Sequence, residues 1–209
     1  MSDPSPPPSS TMAAIARVLI EQDIAMPDAI QGCPEDQVRA LEAHYGRPLP
    51  RLYREFLLAM GSGMGELFAE TEILCGPHLY TLRDVAEQML RAGGVSTPLP
   101  DDAIVFARHG EDAFDFMRTG EGHDPPVYQY LAGQRTWQRI APSFTAYLKS
   151  AIADHLAIVH GWASEEAVAA RAQATPGSSA FFWIALVILI ALFFAIAIFG
   201  DEVSRMLFR

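Results

Sequence analysis

The run FFWIALVILIALFFAIAIF, from Phe181 to Phe199, carries no charge, no Gly and no Pro. Built as a helix it spans roughly 28 Å at ~1.5 Å per residue, which matches the ~30 Å hydrocarbon core of a bilayer. A helix this apolar on all sides would otherwise need a large protein core around it. The reading is a transmembrane helix over 180–200, with Phe181, Trp183, Leu186, Phe193 and Phe199 in the span. It has no G-x-x-x-G, so close helix pairing through that motif is not indicated.

Half of the 209 residues are hydrophobic, a figure inflated by this run. The net charge is −10, which argues against a nucleic-acid partner, because phosphate binding needs clustered Lys and Arg. The same acidity would steer a basic partner toward the chain. Cys33 and Cys75 have no C-x-x-C companion or ligand spacing, so neither a disulfide framework nor a zinc ribbon is expected. The opening MSDPSPPPSS lacks the basic and apolar regions of a signal peptide. Residues 1–11 read as a disordered Pro/Ser-rich leader.

The body centres on PEDQVRALEAHYGRPLPRLYREFLLAMGSGMG, Pro34 to Gly65. Pro34 suits a first helical position, and Glu35 and Asp36 put negative charge where the helix dipole favours it. Val38, Leu41 and Tyr45 share a helical face, and Gly46 supplies the stop. Pro48 and Pro50 stiffen the elbow around Leu49. Tyr53, Phe56, Leu57 and Met60 then form a broad apolar stripe that ends at Gly61. Residues 12–32 read as a short helix, Met12 to Gln22, and a linker.

After the helical pair, Leu67 to Leu74 reads as a strand with one wet face. Leu82, Val85, Ala86, Met89 and Leu90 mark a further helix. Strands follow at 103–109, 113–117, 127–131 and 136–140, separated by Gly-bearing turns. Pro142 opens a last helix that runs to about His160. The fold class is therefore α+β: an antiparallel sheet covered on one face by helices, followed by the single transmembrane helix. An Ala-rich linker or stalk at 161–179 joins the two, and 201–209 is a short tail.

The residues Leu41, Tyr45-Gly46, Leu49-Pro50, Tyr53, Phe56-Leu57 and Gly61 resemble the signature of the SUKH superfamily. It includes fungal Smi/Knr regulators of cell-wall synthesis and bacterial immunity proteins of polymorphic-toxin systems. The resemblance runs from about Glu35 to about His155, within a domain placed at 33–160. It implies the same α+β arrangement, a structural role for those motif residues, and a protein partner.

No catalytic constellation emerges. His109 with Glu111, Asp112 and Asp115 imitates a metal or acid–base cluster, but three-ligand zinc spacing is missing, and a solvated turn is the expected home of His109. Cys75 near His78 lacks an orienting third group. Gly61-Ser62-Gly63-Met64-Gly65 follows a helix and has no Lys after it, so it is not a phosphate cradle. No enzyme activity, cofactor, metal or small-molecule substrate is expected.

The expectation is a membrane-anchored, non-catalytic protein-binding module: a bacterial immunity protein that neutralises a basic toxin domain. Its partner-binding residues would be acids of the sheet and its loops, namely Glu70, Glu72, Glu111, Asp112, Asp115 and Glu121, with Glu66 and Asp124 nearby. The alternative is a membrane-attached scaffold or regulator of envelope synthesis. With no leader and one C-terminal span, the topology reads as tail-anchored in the inner membrane with the domain cytoplasmic. Arg205 and Arg209 behind the span pull weakly the other way.

Overall fold

In the computed structural model the described residues are 10–68 and 78–159. They fall in one compact unit that ends at Val159. Among them no helix is long and apolar enough to cross a membrane. The expected span, with Phe181, Trp183, Leu186, Phe193 and Phe199, lies outside the described residues, as do residues 1–9 of the leader and most of the 67–74 strand. Ser10 and Thr11, expected in the leader, instead begin a helix.

The helical pair forms where the prolines and glycines place it. Helix α2, Glu35–Tyr45, starts after Pro34 and ends on Gly46, whose φ of 64° is left-handed. Glycine takes that conformation at little cost. Helix α3, Arg51–Met60, opens after Pro50. Its stripe of Tyr53, Phe56, Leu57 and Met60 is at most 1% exposed, so truncating Phe56 to Ala would cost about 3–5 kcal/mol. The elbow is stapled by polar groups. Glu42 Oε1 accepts the Leu49 N–H at 3.1 Å, while Arg54 bonds Glu35 and lies 3.5 Å from Glu42.

The stretch before the pair belongs to the core. Helix α1, Ser10–Glu21, packs on α3 and buries Met12, Ile15 and Leu19. The expected linker contributes strand β1, Ile30–Gln31, which pairs antiparallel with β2, Gly63–Met64. The glycines expected only to stop α3 and turn the chain thus also supply a strand. Gly65, at φ +70°, lies so close to the Ile24 carbonyl that a side chain would collide with it. Cys33, buried next to Gly61, is disulfide-bonded. That corrects the expectation of two cysteines standing alone.

The main sheet is antiparallel, in the order β3 (Ala103–His109), β4 (Ala113–Arg118), β5 (Val127–Leu131) and β6 (Gln138–Ala141). Helix α4, His78–Ala92, precedes it, and α5, Phe144–Val159, follows. Two side chains cap the start of α5. Asp124 Oδ1 accepts the Thr145 N–H at 2.9 Å, and Ser143 Oγ accepts the Ala146 N–H at 3.1 Å.

Register sorts the side chains. Asp115 lies opposite Ala107 and Gln129 on one face, whereas Phe116 lies opposite Val105 and Tyr128 on the other. The first face meets α3 and α5 through Phe106, whose ring is 5.6–5.7 Å from those of Tyr53, Phe144 and Tyr147. On the second face Tyr130 lies against Gly93 at the end of α4. Successive residues of β3 and β4 are accordingly buried almost without interruption. These two strands are covered on both faces, not on one as the sequence suggested. Their near-continuous apolar runs, AIVFA and AF-FM, are the corresponding sequence signature.

Candidate functional site

The most concentrated chemistry lies inside the sheet–helix layer. Asp115 is 0% exposed and its carboxylate is fully engaged. Oδ2 accepts the Tyr147 hydroxyl at 2.8 Å and is 2.8 Å from His109 Nε2; Oδ1 accepts Gln129 Nε2 at 2.8 Å. An isolated buried carboxylate would be prohibitively costly, and donors on both oxygens offset that cost. Burial pulls the His109 imidazole toward neutrality, but the attraction of Asp115 and its hydrogen bond outweigh this and raise the pKa. Burial, reinforced by the Asp115 charge, pushes the Tyr147 hydroxyl well above its usual range. The cluster has no open side: it ties β3, β4, β5 and α5 together and offers nothing to a substrate.

Two expectations are corrected here. Asp115 presents no charge to a partner, and His109, 4% exposed, is a core residue and not part of a solvated turn. The physical reason is the same for both. Period-2 alternation puts Asp115 on the face under α5, and its three partners arrive from other elements.

The remaining acids separate into tied and open groups. Glu121 lies 3.4 Å from the Arg118 guanidinium and accepts the Tyr128 hydroxyl at 3.1 Å. Arg118 also reaches Asp102 at 2.9 Å. Burial favours the neutral form of Asp102, but the Arg118 hydrogen bond and charge and the Gly120 N–H together hold its carboxyl below the usual value. Asp124 caps α5, and Glu66 lies 3.8 Å from His155. Glu111 and Asp112 stand exposed in the β3–β4 turn. They sit at the opposite end of β4 from Glu121, so the structure does not gather these acids into one patch. Glu70 and Glu72 lie outside the described residues.

The motif residues sit where two helices meet the sheet. Leu41, Leu49, Tyr53, Phe56 and Leu57 are buried, and Tyr45 is half-buried with its hydroxyl pushed up to about 12 by burial. Gly46 and Pro50 cap α2 and α3, and Gly61 packs so tightly on the Cys33 sulfur and the Leu57 backbone that a side chain there would collide with both. No group of three or more His, Cys, Asp or Glu able to hold a metal occurs among the described residues.

Gln129, Tyr147 and the inward aim of His109 were not anticipated. The available signal was an Asp at the centre of an apolar strand, AFDFM, which demands donors from elsewhere if the strand is buried.

This geometry defines a class: an α+β module with a helical hairpin and a four-stranded antiparallel sheet, in which the buried Asp115 is satisfied by His109, Gln129 and Tyr147. The model of the SMI1 / KNR4 family (SUKH-1) matches residues 32–150, more than half of the chain. The chain belongs to that family. No curated protein matches it.

Proposed function

We propose that the chain is a non-catalytic protein-binding module, an immunity protein that neutralises a cognate toxin, held at a membrane by residues 181–199. Membership of the SUKH-1 family over 32–150 carries this reading. The buried Asp115–His109–Tyr147 cluster is compatible with a non-catalytic role, because these groups are engaged with one another. Glu111 and Asp112 are the acids best placed to meet a basic partner, being exposed in a tight turn. Glu121 contributes at the far end of the sheet, where Arg118 partly neutralises it. Glu70 and Glu72 remain partner-binding assignments of this reading.

The uniform apolarity of Phe181 to Phe199 favours a second reading, a membrane-attached scaffold or regulator of envelope synthesis. A toxin that acts in solution needs no anchored antidote. In either reading the folded domain is proposed to lie on the cytoplasmic side of the inner membrane. The Cys33 disulfide and the arginines after the apolar run argue for the opposite side. Protease protection in sealed vesicles tests that orientation: cleavage from the other side reverses it.

Affinity purification of the full chain from its host in mild detergent separates the two functions. A stoichiometric toxin-like partner that stays bound when the residues after Thr175 are removed supports the antidote. Partners confined to envelope-synthesis proteins, lost with the tail, would replace it with the scaffold.

A further inference from the structure

The sheet places its arginines on one face. Arg108 is opposite Phe114, and Arg139 is opposite Tyr128. Arg118 follows Phe114 and Phe116 at period 2, so all three point away from the Asp115 face. Arg118 pairs with Asp102, and Arg108 is also engaged. Arg139 is exposed, as is Arg135 in the preceding turn, and neither forms an ion pair among the described residues. The two bracket Trp137 in the segment RTWQR.

Trp137 is half-buried, its ring 5.6 Å from Phe116 and edge-on to it. Tyr128, also half-buried, stacks on the same Phe116 at 5.2 Å. The β5–β6 end of this face therefore offers two aromatic rings with accessible surface and two uncommitted guanidinium groups. In a protein of net charge −10 these two arginines carry local positive charge beside the accessible aromatic surface. That distinguishes them from Arg47 and Arg51 of the α2–α3 elbow, which are also unpaired among the described residues. Tyr and Trp beside Arg are the residue types that carry most binding energy at protein interfaces.

We propose that this face docks an acidic, extended segment of a partner protein. Its carboxylates would bond Arg135 and Arg139, and an apolar side chain between them would cover Trp137 and Tyr128. Alternation along an extended segment delivers that pattern, since every second side chain points to the same face. Arginine and aromatic rings also serve single-stranded nucleic acid. The overall negative charge opposes a polyanion that extends beyond the patch, whereas a short acidic peptide meets only the local field. A charge on an edge strand also discourages pairing with another chain, but that role requires no aromatic surface beside it. Glu121 accepts the Tyr128 hydroxyl at the β5 margin of this face but is partly neutralised by Arg118. Arg135, Trp137 and Arg139 lie apart from it in sequence and from the Glu111–Asp112 turn, so reversing the two arginines tests this surface separately from the proposed function.

The experiment uses the full chain in detergent micelles and fluorescein-labelled octapeptides of alternating Glu and Leu or alternating Lys and Leu. A labelled oligothymidylate is the third probe. The Glu–Leu peptide is expected to bind, with the Lys–Leu peptide and the oligothymidylate at least tenfold weaker. Arg135→Glu combined with Arg139→Glu should weaken Glu–Leu binding at least tenfold; both positions are exposed, so an unchanged melting temperature certifies the fold. Trp137→Phe, which keeps an aromatic ring, should weaken it less. Failure of the Glu–Leu peptide to bind, equal binding of the Lys–Leu peptide, preference for the oligothymidylate, or indifference to the double arginine reversal would each overturn the proposal.

Discussion

Tyr147 in α5 donates its hydroxyl to Asp115 Oδ2 in β4 across 2.8 Å, although the two residues are 32 positions apart in sequence. The same oxygen faces His109, and the other carboxylate oxygen takes the Gln129 amide. One buried side chain therefore records the correct docking of three strands and the last helix. Its energetics are open to direct measurement.

Asp115→Ala is expected to destabilise the domain by about 3–5 kcal/mol, because it leaves a buried imidazole and two further donors without their acceptor. Tyr147→Phe removes one hydrogen bond to a charged acceptor and should cost about 1.5–3 kcal/mol. Urea unfolding of both single variants and the double variant checks this. Fully additive losses would mean that the two groups do not interact.

The raised pKa of His109 sets the sign of a pH effect. A histidine whose folded value exceeds its unfolded value of about 6.5 adds stability that is fully present below that value. The contribution fades as pH rises through the folded value. The stability difference between the native chain and His109→Gln should therefore shrink from acid toward alkaline pH. A difference that grows with pH contradicts the charged His109–Asp115 pair.

Asp102 shows the opposite linkage on the surface. Its lowered pKa means that its contribution is present above about pH 3.9 and disappears as pH falls through the folded value. Solvent screening keeps the effect small, so Asp102→Asn should cost at most about 1 kcal/mol at neutral pH. Chemical denaturation at pH 7 is the check, and a loss several times larger would require a role beyond the Arg118 pair.

Gly65→Ala combines a left-handed φ with a collision against the Ile24 carbonyl. Strain of this kind costs about 1–3 kcal/mol for the backbone alone. A thermal melt close to that of the native chain would show that the β2 turn and the segment after α1 shift apart easily.

Glu111→Lys with Asp112→Lys changes an exposed turn and should leave stability within about 0.5 kcal/mol. Association with a basic toxin domain should slow roughly tenfold at low salt, with dissociation little affected. Stopped-flow mixing at two salt concentrations measures both. An unchanged association rate removes the hairpin from the binding surface.

Local features of the fold were readable in the chain. Pro34, Gly46 and Pro50 mark the limits of α2 and α3, and the apolar spacing of Tyr53, Phe56, Leu57 and Met60 marks the face that is buried. The four strands of the main sheet also follow from short runs of apolar β-formers between Gly-bearing turns. The β1–β2 ribbon did not, because two-residue strands carry no period and depend on a partner more than thirty positions away. The candidate surface was misread in one respect: Asp115 was grouped with Glu111 and Asp112 by proximity in sequence, while the pleat of β4 turns it inward.

Sequence by itself determined what depends on neighbours along the chain: helix limits, turns, strand order in the chain, net charge and the apolar run at 181–199. Those follow from backbone propensity and from side-chain spacing over one or two turns. Tertiary structure decided what depends on distant partners. Packing against α4, α5 and α3 put both faces of β3 and β4 out of water. Donors 6, 14 and 32 residues away made a buried Asp115 affordable. The burial of a charge is settled by the groups that reach it, and no local pattern encodes their arrival.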